Sequence, residues 1–543
     1  MSKLGRQLVA AAVATTALVS GAGLMSAQAT PIGPSTTTPK LRTYVPPRVS
    51  WGTCSDAGLR QSGARCGLMT VPLDYAQPKG PKIKIALSWI KHTTADSSAQ
   101  GLMLVNPGGP GASGLALSQI GQWVPKGAGD AYDWIGFDPR GVGASQPRLN
   151  CDGNYFPYNR PDYSDPAQEQ VWRDKAAGYA AKCDAAGGAL LDHMTTRDWV
   201  RDMESIRTLF RAQQINFYGF SYGTYLGQAY ATAYPSRVRR MVWDGVVDWK
   251  DAWYEANFAQ DPAFEKNLNI YFGWIAQNNT TYGLGTTAAA VRANWQSLLD
   301  ASRQSPLGGK LGPDEWLDSF VSAAYYVYDW PGLAQDFVAA KNGSYAPMIA
   351  RYDGANGSGP GSDNTYAVYN AVQCTDAPFP ADWTTWKART TQVAQTAPFL
   401  TWSNTWYNAP CLTWGAKQAT TRPTMKDVGV PPILLISETN DAATPIAGAR
   451  TARATFRNSR LIEGLKGTTH ASSLSGVRCV DYAIADYLIN GKLPPRLAGD
   501  VSDLKCGAVP PPSPASAMAR GAARSDRLPA DLRAIITDQP VRR

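Results

Sequence analysis

Histidine is scarce in this chain, with three residues in 543, at positions 92, 193 and 470. A mechanism that needs an imidazole base therefore has a short list of candidates. The eight cysteines contain no C-x-x-C pair, which argues against a structural metal site and in favour of disulfides. Beyond residue 29 no run reaches the ~18 apolar residues of a membrane span. No repeat period runs through the body, so a solenoid or blade array has no basis. The formal charge of +9 sits mostly at the ends, in Lys3, Arg6 and a tail from Gly507 with six Arg against three Asp. The remaining body carries +4, with no basic stripe to call for nucleic acid.

What is present divides by composition. Residues 1–29 read as an export signal, with Lys3 and Arg6 before the apolar stretch Leu8 to Met25 and a small-residue cleavage site at Ala27-Gln28-Ala29. Secretion is the expected fate, and the eight cysteines suit it. Their order suggests four local loops, Cys54–Cys66, Cys151–Cys183, Cys374–Cys411 and Cys479–Cys506, with other connectivities still open. Residues 30–48 are Pro- and Thr-rich and read as a disordered leader or propeptide. Stretches 49–250 and 426–506 alternate strand-like and helical runs, the pattern of a mostly parallel α/β sheet. Between them, 251–425 reads as a helical cap holding ten of the eighteen tryptophans, and core packing accounts for most of those rings. Residues 507–543 open on Pro510-Pro511-Pro512 and read as a low-complexity tail without chemistry.

The most informative motif is Gly219-Phe220-Ser221-Tyr222-Gly223, set between the apolar run Ile215 to Tyr218 and the helix-forming run from Thr224. Strand, tight turn and helix in that order make a nucleophile elbow, in which side chains at 219 and 223 would collide with neighbouring backbone. Ser221 is the expected nucleophile. His470 lies in the small-residue loop Lys466 to Ser472 after a strand, where an imidazole can reach back over the sheet, whereas His92 and His193 read as ordinary surface or core residues. Asp441 follows the apolar strand Ile433 to Ile436 and is the expected orienting acid, with Glu438 its rival. The order Ser, Asp, His is that of the α/β-hydrolase architecture. Oxyanion donors are expected from the N–H of Tyr222 and from Gly109 in the turn Asn106-Pro107-Gly108-Gly109-Pro110-Gly111. The loop Asp138 to Ser145 lacks both the G-x-G-x-x-G spacing and a following Lys, so no nucleotide site is expected; Asp138 and Arg140 read as braces beside the oxyanion turn. No cofactor or metal is called for.

Together with Asp441-Ala-Ala-Thr-Pro445, Gly467-Thr-Thr-His470 and the cap segments Trp253 to Asp261 and Ala371 to Asp376, these motifs resemble the secreted tripeptidyl aminopeptidases of Streptomyces, a proline-iminopeptidase-like group of α/β-hydrolases. The likeness covers roughly residues 49–506. It implies a serine exopeptidase that releases tripeptides from free N-termini, with a subset of the family taking tri- or tetrapeptides and preferring proline at the cleavage site. It also implies Ser221 as nucleophile, Asp441 as orienting acid and His470 as general base. Where proline iminopeptidases begin the glycine turn with His, this chain has Asn106. An exopeptidase must hold the substrate ammonium with a carboxylate, and Asp261, Glu265 and Asp376 are candidates from the matching cap segments. The alternatives are an esterase- or lipase-like hydrolase on the same fold and a non-catalytic binding protein. Peptide or protein N-termini are the expected partners, nucleic acid and membrane are not, and a monomer is the default.

Overall fold

Strand Ile433–Glu438 is buried at every position, which its unbroken apolar run requires of an inner strand covered on both faces. It belongs to a ten-stranded sheet seen in a computed structural model that describes residues 44–514 and residues 529, 532, 533 and 535. The expected export signal, most of the expected leader and much of the tail lie outside the described residues.

In chain order the strands are β1 (Gly52–Thr53), β2 (Arg65–Pro72), β3 (Lys82–Ile90), β4 (Gly101–Asn106), β5 (Tyr132–Asp138), β6 (Ile215–Phe220), β7 (Val238–Asp244), β8 (Ile433–Glu438), β9 (Arg460–Leu465) and β10 (Leu504–Gly507). Their order across the sheet is β1-β2-β3-β5-β4-β6-β7-β8-β9-β10. Pairs from β1 to β5 through β2 and β3 are antiparallel, and all pairs from β5 to β10 are parallel. The fold is the expected α/β hydrolase, mostly parallel, with a large helical insertion rich in aromatic clusters.

Alternation along the strands divides the core in two. Leu102, Leu104, Phe217, Met241, Ile433 and Leu435 face one layer, which includes the helix Thr196–Leu209. Met103, Val105, Tyr218, Val242, Leu434 and Ile436 face the other, which includes the helix Arg478–Asn490. The period of two thus buries both faces of each inner strand. Helix Thr196–Leu209 starts where the Thr195 side chain accepts from the Asp198 N–H, and its apolar residues Trp199, Met203 and Ile206 turn inward.

Between β7 and β8 the chain forms helices from Tyr254–Gln277 to Thr401–Asn408. Their own core gathers Phe264, Tyr271, Trp295, Trp316, Phe320 and Trp330, so most of the cap tryptophans are packing residues. The four cysteine pairs are those suggested by their order, Cys54–Cys66, Cys151–Cys183, Cys374–Cys411 and Cys479–Cys506. Each closes a short loop, a contribution on the order of 3 kcal/mol by chain entropy. Among the described residues no helix is long and apolar enough to cross a membrane.

Candidate active site

The carboxyl ends of β4, β6, β7 and β8 converge on one cleft. Ser221 stands directly after β6 at φ 54°, ψ −127°, a conformation rare for any residue with a side chain. Its N–H donates to the Asp244 carbonyl at the end of β7 (2.9 Å), and its carbonyl accepts from the Thr224 N–H (2.8 Å) and Oγ1 (2.7 Å). The flanking glycines are required. A Cβ on Gly219 would lie 2.6 Å from the Gly223 carbonyl oxygen, and one on Gly223 would lie 2.6 Å from that of Asn106. Gly108, at φ 103°, presses the oxyanion turn onto the elbow so closely that a Cβ there would sit 2.8 Å from the Ser221 Cβ.

His470 is fully buried, and its Nδ1 lies 2.8 Å and 3.0 Å from the two carboxylate oxygens of Asp441. Asp441 is itself fixed by the Thr444 N–H (2.9 Å) and hydroxyl (2.9 Å), and that hydroxyl also lies 3.2 Å from Nδ1. The other ring nitrogen, Nε2, has no hydrogen-bond partner among the described residues, so the Ser221 hydroxyl is not engaged with it in this conformer. Two features confine the ring. Gly245, at φ 68°, passes so near that a Cβ would lie 2.7 Å from Cε1. Tyr325, from the end of the insertion helix Pro313–Tyr325, stands edge-on to the imidazole at 5.3 Å and accepts the His470 backbone N–H on its carbonyl (2.9 Å).

Glu438 has a different task from Asp441. Its carboxylate accepts from the backbone N–H groups of Thr469 (2.6 Å) and Val509 (2.7 Å), and burial pushes its carboxyl up to about 8. It braces the histidine loop and does not touch the ring. Asp138 braces the segment just after the glycine turn and its own loop, accepting from the Ser113 hydroxyl (2.6 Å) and the N–H groups of Gly114 (3.0 Å) and Ala144 (2.8 Å). Arg140 instead makes a paired contact with Asp202 (2.8 Å twice) and donates to the carbonyls of Leu73 and His193. It ties the loop to the helix Thr196–Leu209, away from the turn. His92 pairs with Asp96 and Asp133.

The cleft, open to solvent, is lined by Gly109, Ser221 and Tyr222 together with Val247, Trp253, Tyr325 and Thr444. Among the described residues the N–H groups of Gly109 and Tyr222 have no partner. The Tyr222 hydroxyl donates to Thr196 Oγ1 (2.7 Å), whose own proton goes to Asp376.

None of the three cap acids lines this cleft. Asp376 also accepts from the Thr196 N–H (2.7 Å), which makes it a tether beneath Tyr222. Glu265 pairs with Arg292 and accepts from the Phe399 N–H (3.1 Å). Asp261 accepts from Asn404 (2.9 Å) and lines a separate small pocket. The carboxylates that do line the cleft are Asp248 and Asp251, in the loop after β7. Sequence reasoning passed over them and over Gly245, although the carboxyl end of a parallel strand is where such a sheet places its site.

Comparison with known proteins agrees with this architecture. Residues 101–468 match the family model of the alpha/beta hydrolase fold. The chain is 38% identical over 479 residues to a tripeptidyl aminopeptidase of Streptomyces lividans, covering 86% of this chain and 88% of that one. It is 33% identical to carboxylesterase B of Mycobacterium tuberculosis (83% and 89% covered) and 28% identical to serine protease Hip1 of the same organism (82% and 90%). The chain belongs to the α/β-hydrolase fold family and, within it, to the group of serine aminopeptidases that includes the Streptomyces tripeptidyl aminopeptidase.

Proposed function

We propose that the chain is a secreted exopeptidase that releases tripeptides from free N-termini through an acyl-enzyme on Ser221. The observation that carries this reading is the opening of Ser221 and the free N–H groups of Gly109 and Tyr222 on one cleft, with the buried His470–Asp441 pair bonded to Thr444 of its lining. The Ser221 hydroxyl turns toward His470 Nε2 and gives up its proton as Oγ attacks the scissile carbonyl carbon. Gly109 and Tyr222 donate to the resulting oxyanion. Nε2 then returns the proton to the leaving amine as the C–N bond breaks, and water, deprotonated by the same nitrogen, releases the peptide and restores the serine. Throughout, Asp441 holds the proton on Nδ1 and stabilises the imidazolium.

Recognition of the free amine falls in this reading to Asp251, with Asp248 beside it. The Asp251 carboxylate has no hydrogen-bond partner among the described residues, and burial with the neighbouring Asp248 charge raises its pKa above the ordinary value. A bound ammonium relieves both effects. The relative named as a carboxylesterase favours a second reading, an esterase on the same site. Free and N-acetylated peptides ending in a chromogenic amide separate the two. Cleavage confined to the free tripeptide supports the exopeptidase, and equal cleavage of both forms refutes it. Two-, three- and four-residue substrates, with and without proline before the scissile bond, then define length and proline preference. A fluorophosphonate that fails to label Ser221 would leave only the binding-protein alternative. Four disulfides favour the extracellular location.

A further inference from the structure

The loop that carries His470 is held from two sides by opposite charges. Its N–H groups point to buried carboxylates: Thr469 donates to Glu438, Ser472 and Ser473 donate to Asp244 (3.2 and 2.7 Å), and Leu474 and Gly476 donate to Asp481 (2.7 and 2.9 Å). Its carbonyls point the other way, to Arg533 of the C-terminal stretch. Arg533 Nη1 donates to the carbonyls of Ala471 (3.3 Å) and Ser473 (3.0 Å), and Nη2 donates to that of Leu474 (2.6 Å). The side chain is buried, with its guanidinium 5.2 Å from the centre of the Tyr328 ring, and the adjacent Leu532 joins the core layer that contains Ala471, Leu474, Ile484 and Leu488.

External support matters here because the loop is strained. Ala471 stands at φ 54° and Leu474 at φ 56°, in the left-handed region that costs a residue with a side chain about 1 kcal/mol or more. A buried carbonyl also needs a donor, and three carbonyls turned to one point suit a planar guanidinium with five N–H groups better than any other side chain.

We propose that Arg533 is a positioning residue for catalysis. By fixing the carbonyls of residues 471, 473 and 474 it holds the backbone next to His470, and through it the imidazole, so the C-terminal stretch belongs to the working enzyme. The proposal rests on the reading of His470 as the general base.

The test uses the full chain with Arg533→Ala and Arg533→Lys, and His470→Ala as control. A displacement approaching 1 Å at a reacting group is worth about 10²-fold in rate. Arg533→Ala is therefore expected to lower kcat by about 10–100-fold with KM unchanged, and to slow fluorophosphonate labelling of Ser221 by the same factor. Arg533→Lys, whose three N–H groups radiate from one nitrogen on a more flexible stem and do not match the planar fork, is expected to recover part of the loss. Millimolar guanidinium chloride is expected to restore kcat in Arg533→Ala, while sodium chloride at equal ionic strength does not. A folded Arg533→Ala enzyme with normal kcat overturns the proposal, as does a loss that appears only in KM. If Arg533→Ala does not fold, Arg533→Lys decides, and parental kcat in that variant overturns it. Full activity in His470→Ala would instead overturn the reading of the base. An inactive His470→Ala beside a normal Arg533→Ala removes the positioning role alone.

Discussion

Replacement of Gly245 by alanine tests the geometry of the histidine without touching any polar group. A Cβ at 245 would lie 2.7 Å from His470 Cε1 and 3.0 Å from Nδ1. Carbon atoms in contact prefer 3.5–4.0 Å, so the ring must withdraw by roughly 0.8 Å. Such a movement disturbs the contact of Nδ1 with Asp441, now at 2.8 Å, and shifts Nε2 within the site. A misplacement of this size costs about 10²-fold in kcat, or about 2.7 kcal/mol in the barrier. The positive φ of 68° adds a stability cost of about 1–2 kcal/mol for a residue with a side chain. Steady-state kinetics on a tripeptide chromogenic amide read the first effect and thermal unfolding reads the second. We expect kcat to fall with KM unchanged, and the fluorophosphonate reaction to slow in parallel. Unaltered kcat in a folded Gly245→Ala protein would refute the claim that this glycine makes room for the imidazole.

Other substitutions probe separate parts of the site. Asp441→Asn keeps the side-chain shape but removes the charge that fixes the tautomer, so kcat should drop by ~10⁴ with fold and thermal midpoint retained. Thr444→Val removes the hydroxyl that donates to Asp441, a bond worth about 1–1.5 kcal/mol, and kcat should fall about tenfold. Asp251→Asn should raise KM for free-amine peptides about tenfold while leaving acetylated esters unaffected; equal effects on both would remove it from amine recognition. Burial pushes the Asp376 carboxyl up from 3.8 to about 7. Between those values the unfolded chain has released this proton and the folded chain has kept it, so stability falls as pH rises and levels off above about 7. Asp376→Asn should flatten that decline, on the order of a few kcal/mol, in thermal unfolding from about pH 4 to about pH 7.

Much of this architecture was readable in the sequence because its signals are local. The elbow needs two glycines within five residues, and the inner strands need unbroken apolar runs, so Ser221 and the strands that flank it stood out. The pairing of Asp441 with His470 was readable because each sits one loop beyond a strand. What escaped was held by long-range contacts. Gly245 is one glycine among 50, and only the imidazole placed against it by a residue 225 positions later gives it a task. The cap acids failed as cleft residues because a carboxylate on a helix is equally suited to hold a neighbouring N–H or Arg. Arg533 had no signal at all, since a tail rich in Pro, Ala and Arg reads as unstructured until its three carbonyl partners are known.

The choice between Glu438 and Asp441 shows how the sheet assigns work to its acids. Asp138 ends β5, Asp244 ends β7 and Glu438 ends β8, and all three are buried with carboxyls raised by burial. All three accept backbone N–H groups from loops near the carboxyl ends of the strands: Gly114 and Ala144, Ser472 and Ser473, Thr469 and Val509. A main-chain donor never changes its proton count, so these carboxylates serve only to hold position. Asp441 lies three residues past the end of β8, where it accepts one backbone N–H, that of Thr444, and also meets the side chain of His470. In the proposed mechanism its partner, His470, is the base that takes up and returns a proton during acyl transfer. Proximity to the strand favoured Glu438 as the acid, yet that proximity is what commits it to the backbone. Glu438→Gln should therefore preserve the Ser221 reaction in large part, because an amide oxygen still accepts the Thr469 N–H, whereas Asp441→Asn should nearly abolish it. Comparable kcat for the two variants would show that the division of labour between strand-end and loop carboxylates is wrong.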